Sequence, residues 1–470
     1  MAHSIHYGSL LVATAVAALL AASEVDGIGL NLHHRSSPVV RRWAEARGHA
    51  PGTWWPEAAA DGTPEYYSAL FRNDRALFAR RGLAASNGQG ELAFSGGNAT
   101  FQLEGYLHYA EVAVGTPNMT FLVALDTGSD LFWVPCDCEH CGNATAQGDQ
   151  KYSPSRSSTS KTVTCEHALC DRPKACATRN SSCPYNVRYA SANSSSSGVL
   201  VEDVLHLSRE KQHGGGGEAV QAPVVFGCGR EQQKGAFRDG DGVMGLGMGK
   251  VSVPTLLASS FSMCFSDGGV GRINFGDAVD PGQAQTPFIL TNPHSTYKIA
   301  TRGMNVENLD VPLEFQAVLD SGTSFTYLAD PVYTAFAYEL MSQINDTRAN
   351  LSASIPFEFC YGLSPNQTEI YIPDVSFWTK GGAKFPVTRP FFVVADRHGK
   401  GAVGYCLAIL KSETDINIFG QNFMTGLKIV FDRERFVLGW SKFDCYRDME
   451  MEDVGSAAPA PATAPRPATA

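Results

Sequence analysis

Asp126-Thr127-Gly128-Ser129 and Asp320-Ser321-Gly322-Thr323 repeat one pattern, Asp-Ser/Thr-Gly-Ser/Thr, 194 residues apart. Apolar runs lead into both: Phe121-Leu122-Val123-Ala124-Leu125 before the first and Phe315-Gln316-Ala317-Val318-Leu319 before the second. Each run reads as a buried strand, so each Asp stands at a strand exit on a Gly turn flanked by hydroxyls. Two carboxyls on matching turns can share one water and one proton. Such a pair hydrolyses a peptide bond without a covalent intermediate, one carboxylate taking the water's proton while its partner donates to the developing oxyanion. Glycine lets backbone N–H groups approach the carboxylates, and the hydroxyls fix their orientation. A single copy could be an Asx turn after a strand. Two copies with matching flanks argue for a dyad of Asp126 and Asp320, and this chemistry requires neither metal nor cofactor.

The rest of the chain must hold two such turns face to face. At 470 residues it is long enough for more than one domain. From residue 106 onward short apolar runs are broken by Gly, Pro, Asn and Ser, the pattern of a largely β protein. Residues 191–197 and 214–217 read as low-complexity loops. Residues 331–345 are the best helix, with Val332, Phe336, Leu340 and Ile344 on one face. Val243-Met244-Gly245-Leu246-Gly247 and Asn417-Ile418-Phe419-Gly420-Gln421 add a second repeated element, able to thread beside the Asp turns and buttress them.

The N-terminus has a different character. Residues 10–22 form an Ala-rich apolar run of signal-peptide length. Residues 28–90 hold eight Arg, no Lys and five acidic residues, a net of +3, whereas residues 91–470 carry −11. A basic leader on an acidic body predicts a propeptide held partly by charge and released as acid protonates the body. Within it, residues 66–78 have helical spacing, and Arg80-Arg81 would serve as a processing site. The plainer alternative is an extension with no inhibitory role. The expected order is therefore signal peptide 1–23, propeptide 24–95, an N-terminal lobe 96–288 carrying Asp126, a C-terminal lobe 289–446 carrying Asp320, and an Ala/Pro-rich tail 447–470.

The duplicated turns, the segment Leu131-Phe132-Trp133-Val134-Pro135 and the paired apolar-apolar-Gly segments resemble the pepsin-type aspartic proteases over residues 106–445. The Cys-rich stretch from Cys136 to Cys183 and Phe226-Gly227-Cys228-Gly229 look more like the plant, nepenthesin-like branch. The resemblance implies an all-β, bilobal fold of two pseudo-symmetric lobes, each supplying one Asp to a cleft. It matches Asp126 and Asp320 to the catalytic pair, and Thr127, Gly128, Ser129, Ser321, Gly322 and Thr323 to its support. Ser129 and Thr323 correspond to hydroxyls that bond the carboxylates from outside. Tyr189 corresponds to the flap tyrosine and Trp133 to its hydrogen-bonding partner, although Ala-Ser-Ala-Asn replaces the usual Gly-containing flap tip.

Twelve cysteines and eight N-x-Ser/Thr sequons (Asn98, Asn118, Asn143, Asn180, Asn193, Asn345, Asn350, Asn366) point to a disulfide-bonded glycoprotein of the secretory pathway, extracellular or vacuolar. Cys136-Asp137-Cys138-Glu139-His140-Cys141 could be drawn as a zinc site, but disulfides fit an oxidised chain better and no metal is expected. Spacing leaves connectivity open; the expected pair is Cys360 with Cys406, leaving Cys445 to reach Cys228 or Cys264. A net charge of −10 without a basic stripe argues against nucleic acid. No transmembrane segment or lipid-anchor signal is read. The expected molecule is a monomeric acid endopeptidase, made as a zymogen, acting on proteins or peptides. Two alternatives are a non-catalytic binding or inhibitor glycoprotein on the same fold and, less well matched, a two-carboxylate glycosidase.

Overall fold

The computed structural model describes residues 28–34, 37–46, 62–68, 70–71, 108–141, 151–171, 173–189, 194–209, 218–233, 241–265, 270–291, 296–351, 355, 357–364, 367, 370–396 and 401–442. β-Structure dominates them, as the turn-punctuated apolar runs predict. The described strands form sheets of fourteen, seven and three. The largest holds Asp126, and a strand of the seven-stranded sheet ends at Leu319, just before Asp320, so the two turns come from separate β halves.

The halves are not sealed off in sequence. The last two strands, Leu427–Asp432 and Val437–Lys442, return to the large sheet, where Leu427–Asp432 pairs antiparallel with Ser260–Cys264. Apolar residues from both halves then merge into one core, in which Phe261 stacks on Phe431 with ring centroids 4.6 Å apart. Burying such rings removes a large apolar area from water and supplies much of the cohesion between the halves.

An element that the sequence reading passes over lies at the centre of this sheet. Ile28–His34 pairs antiparallel with Val270–Phe275 on one side and His108–Val114 on the other. Its signal is the period-2 alternation of Ile28, Leu30 and Leu32, of which Leu30 and Leu32 are buried. The helix Pro38–Ala46 follows, burying Val40 and Ala44. Residues 64–68 and 70–71 are helical, in line with the spacing over 66–78, whose remainder lies outside the described residues. The helix read at 331–345 is shorter, Val332–Met341; Val332, Phe336 and Leu340 are buried, and Ile344 packs on the core from beyond the helix end.

Four disulfides join pairs of described cysteines. Cys136–Cys228 joins neighbouring parallel strands, Cys165–Cys176 and Cys170–Cys183 staple residues 165–183, and Cys360–Cys406 crosses an antiparallel pair. One expectation is corrected: Cys228 is taken by Cys136, whose Cα lies 4.9 Å away, and is not open to Cys445. Cys264 is also disulfide-bonded. The sulfurs of Cys165, Cys170 and Cys176 cluster, but each is spent in a disulfide and offers no thiolate to a metal. Among the sequons, Asn118, Asn180, Asn345 and Asn350 are exposed; Asn98, Asn143, Asn193 and Asn366 lie outside the described residues. So do the expected signal peptide, the Arg80-Arg81 site, Cys445 and the tail. No described helix is long and apolar enough to cross a membrane.

Candidate active site

The strand Met119–Asp126 runs parallel to Val243–Gly245, pairing Asp126 with Gly245. In the second half Leu309–Leu319 runs parallel to Asn417–Phe419, pairing Leu319 with Phe419. The apolar-Gly segments therefore lie beside the Asp turns, and backbone bonds seal the contact: Leu246 N–H to Asp126 O at 2.9 Å and Asp320 N–H to Phe419 O at 3.1 Å. Glycine is required where the chains cross. A Cβ on Gly245 would sit 2.3 Å from the Asp130 carbonyl carbon, and one on Gly420 2.2 Å from the Phe325 oxygen.

This threading buries both carboxyls, Asp126 at 6% exposure and Asp320 at 0%. Gly128 N–H donates to Asp126 Oδ1 at 2.8 Å and Gly322 N–H to Asp320 Oδ1 at 3.3 Å. The hydroxyls differ. Thr323 Oγ1 donates to Asp320 Oδ2, whereas the buried Ser129 Oγ has no hydrogen-bond partner among the described residues. The outer hydroxyl bond expected of both residues is thus made in one half only. The β-branched Thr323 has fewer χ1 states than Ser129, which suits a fixed bond.

Thr127 and Ser321 do what the sequence reading left unspecified: they bind the two turns to each other. Thr127 N–H donates to Ser321 Oγ (3.2 Å) and Ser321 N–H to Thr127 Oγ1 (3.0 Å). The hydroxyls in turn donate to Leu319 O (3.1 Å) and Leu125 O (3.2 Å). The repeated small hydroxyl after each Asp was the signal for this lock.

Trp133 is fully buried and shares a cluster with Tyr185, Val243, Val40 and Ala44. Tyr189 ends the strand Pro184–Tyr189, its backbone in register with Ser194 of the strand Ser194–Arg209. These strands form the hairpin that a flap requires. The Tyr189 side chain and residues 190–193 lie outside the described residues, and with them the expected bond to Trp133.

Family models described as xylanase inhibitor N-terminal and xylanase inhibitor C-terminal match residues 108–277 and 296–442. The chain is 45% identical over 437 residues to aspartyl protease family protein 1 of Arabidopsis thaliana, covering 89% of this chain and 81% of that one. It belongs to the pepsin-like aspartic protease family. The plant branch of that family supplies further relatives. Aspartic proteinase-like protein 1 of Arabidopsis thaliana is 38% identical over 411 residues (82% of this chain, 76% of that one). Aspartic proteinase nepenthesin-1 of Nepenthes gracilis is 26% identical over 356 residues (71% and 77%). Among solved structures, basic 7S globulin from soybean superposes with a TM-score of 0.57 at 22% identity, covering 72% of this chain and 92% of that one. At that identity the likeness shows the fold, the bilobal pepsin-like arrangement.

Other links to this aspartic-protease core were not legible in the sequence. Tyr297, from the second half, donates its hydroxyl to Leu246 O at 2.7 Å, beside the first Asp turn. Burial pushes this phenol well above its ordinary range, opposed by Arg433 and assisted by Asp130, so it stays a donor. Gln421, after the second Gly segment, donates to Ser321 O at 2.6 Å.

Proposed function

We propose that this family member is an aspartic endopeptidase, made as a zymogen in the secretory pathway and hydrolysing peptide bonds at acidic pH. The observation that carries the reading is the reciprocal Thr127–Ser321 lock, which joins two complete Asp turns into one rigid unit. Rigidity matters because paired carboxyls act only if both reach the same water. On this reading the two carboxyls share a proton, the standard arrangement in aspartic proteases. The ionised carboxyl takes a proton from the water as it attacks the scissile carbonyl, while the protonated one donates to the oxyanion. The proton removed from water then passes to the leaving nitrogen as the C–N bond breaks. Asp126 and Asp320 are the proposed pair, Gly128, Gly322 and Thr323 orient them, and the hairpin ending at Tyr189 is the proposed flap.

Contacts of residues 28–71 support the zymogen reading. The strand Ile28–His34 is hydrogen-bonded on both edges, and Trp43 Nε1–H donates to Asp241 Oδ2 at 3.0 Å. Tyr67 donates to Val393 O at 2.9 Å and packs on Phe392 and on Phe325, two residues beyond Thr323. One leader thus engages both halves next to the proposed dyad, and an enzyme restrained this way must lose those contacts to work freely.

A non-catalytic binding glycoprotein on the same fold is the second reading. The inhibitor descriptions of the matching models and the likeness to a seed globulin favour it. Cleavage of a mixed peptide library by the acid-treated chain, from about pH 3 to 7, separates the two. The endopeptidase predicts acid-side cleavage that pepstatin blocks and Asp126→Asn abolishes. Intact peptides after verified leader removal would instead favour the binding protein.

A further inference from the structure

Gln421 opens the short helix Gln421–Met424 and is buried at 3% exposure. Its backbone is pinned: its N–H donates to Thr323 O at 2.8 Å, and its carbonyl accepts from Thr425 N–H and Oγ1 at 2.8 and 2.9 Å. Its side chain faces two ways. Nε2 donates to Ser321 O at 2.6 Å, and Oε1 lies 2.9 Å from Nδ1 of His108. Because the amide nitrogen is committed to a carbonyl, the amide oxygen must accept, and His108 Nδ1 carries the hydrogen. His108 is itself buried at 3% exposure, its ring packed against Phe265 and His34 at centroid distances of 5.1 and 5.2 Å.

The Ser321 carbonyl belongs to the same peptide unit as Gly322 N–H, the group that donates to Asp320 Oδ1. A peptide unit is planar, so a donor fixed on its oxygen also sets the direction of its N–H. It also polarises that N–H, strengthening the bond to the carboxylate. We propose that His108 and Gln421 are positioning residues that hold the Ser321–Gly322 peptide plane and so aim Gly322 N–H at Asp320. The device is one-sided: in the first half Leu246 follows Gly245 where Gln421 follows Gly420. The two carboxyls of the proposed dyad are therefore held differently, Asp320 by Thr323 and this relay, Asp126 without either.

The effect on turnover rests on the endopeptidase reading; the effect on the turn's rigidity does not. The test uses the full chain after acid treatment, with His108→Leu, Gln421→Met, the double variant and His108→Asn, whose amide N–H takes the place of Nδ1–H. Two quantities are read: kcat and KM on a fluorogenic peptide, and hydrogen exchange of the segment containing residues 320–323. His108→Leu and Gln421→Met should each lower kcat about tenfold or more with KM within about twofold, because the interaction acts on the reacting groups rather than on substrate binding. Both should speed exchange of the turn, while His108→Asn keeps both quantities near wild type. The double variant should be no worse than the worse single variant, since both break one relay. Equal loss in His108→Asn and His108→Leu, or an unchanged turn in a folded Gln421→Met, would overturn the proposal. An inactive wild type would remove the endopeptidase reading, and the exchange data would still decide the relay.

Discussion

Thr127 and Ser321 accept from each other's backbone N–H, and each donates its hydroxyl to the carbonyl just before the other's Asp. The four bonds close a ring across the halves, with every polar atom in it satisfied. Thr127→Val keeps the shape but removes the hydroxyl, leaving Ser321 N–H and Leu319 C=O buried and unpaired. At about 1–3 kcal/mol for each orphaned group, the variant should lose roughly 2–6 kcal/mol in urea unfolding. An unchanged midpoint would mean that the ring does not hold the halves together.

The unequal hydroxyls predict unequal kinetics. Thr323 bonds Asp320, and Ser129 does not bond Asp126. A hydrogen bond to a charged group contributes about 1.5–3 kcal/mol, so Thr323→Val should cut kcat/KM roughly 10- to 100-fold. Ser129→Ala should change it by less than about threefold. Steady-state kinetics at acidic pH checks this, and equal losses would contradict the asymmetry.

Docking of the proposed leader should weaken as pH falls. His33 stands on the central leader strand; burial pushes its imidazole below the ordinary value of 6.5, Glu111 opposing and Arg42 adding to the shift. The docked leader therefore binds a proton less readily than the released one. Its stabilising contribution is present above pH 6.5 and is lost as pH drops from there through the lowered docked value. His33→Gln, which cannot titrate, should flatten this dependence. Leader accessibility to a second protease, followed against pH, would reveal the change of slope.

Gly420→Ala should destabilise the second half. The new Cβ would lie 2.2 Å from the Phe325 carbonyl oxygen and 3.0 Å from that of Thr323. Backbone cannot swing aside as a flexible side chain can, so a cost of at least about 2 kcal/mol is expected, with lower activity. Gly426→Ala provides a contrast: it has open space, and its φ of +80° alone sets the cost, about 1 kcal/mol. Thermal unfolding of both variants separates crowding from backbone strain.

The β architecture was legible because strand exits, Gly turns and apolar runs are local patterns with a fixed period. The duplicated Asp turns and the segments Val243–Gly245 and Asn417–Phe419 were legible for another reason: a repeat in sequence becomes a pseudo-two-fold in space. The strand Ile28–His34 is hard to read because its alternation covers only Ile28, Leu30 and Leu32, and its partners lie 74 or more residues away.

The residue types needed for two-carboxylate hydrolysis, and their placement on matching turns, were determined by the sequence alone. Only the tertiary structure decided what holds those turns. The Thr127–Ser321 ring, Tyr297 on Leu246 and His108 on Gln421 join residues 51 to 313 positions apart. Hydrogen bonds of that kind require two atoms to meet within about 3 Å, a condition that no periodicity along the chain encodes. The asymmetry between Asp126 and Asp320 arises in the same way, from partners brought in by the folding of near-identical motifs into different surroundings.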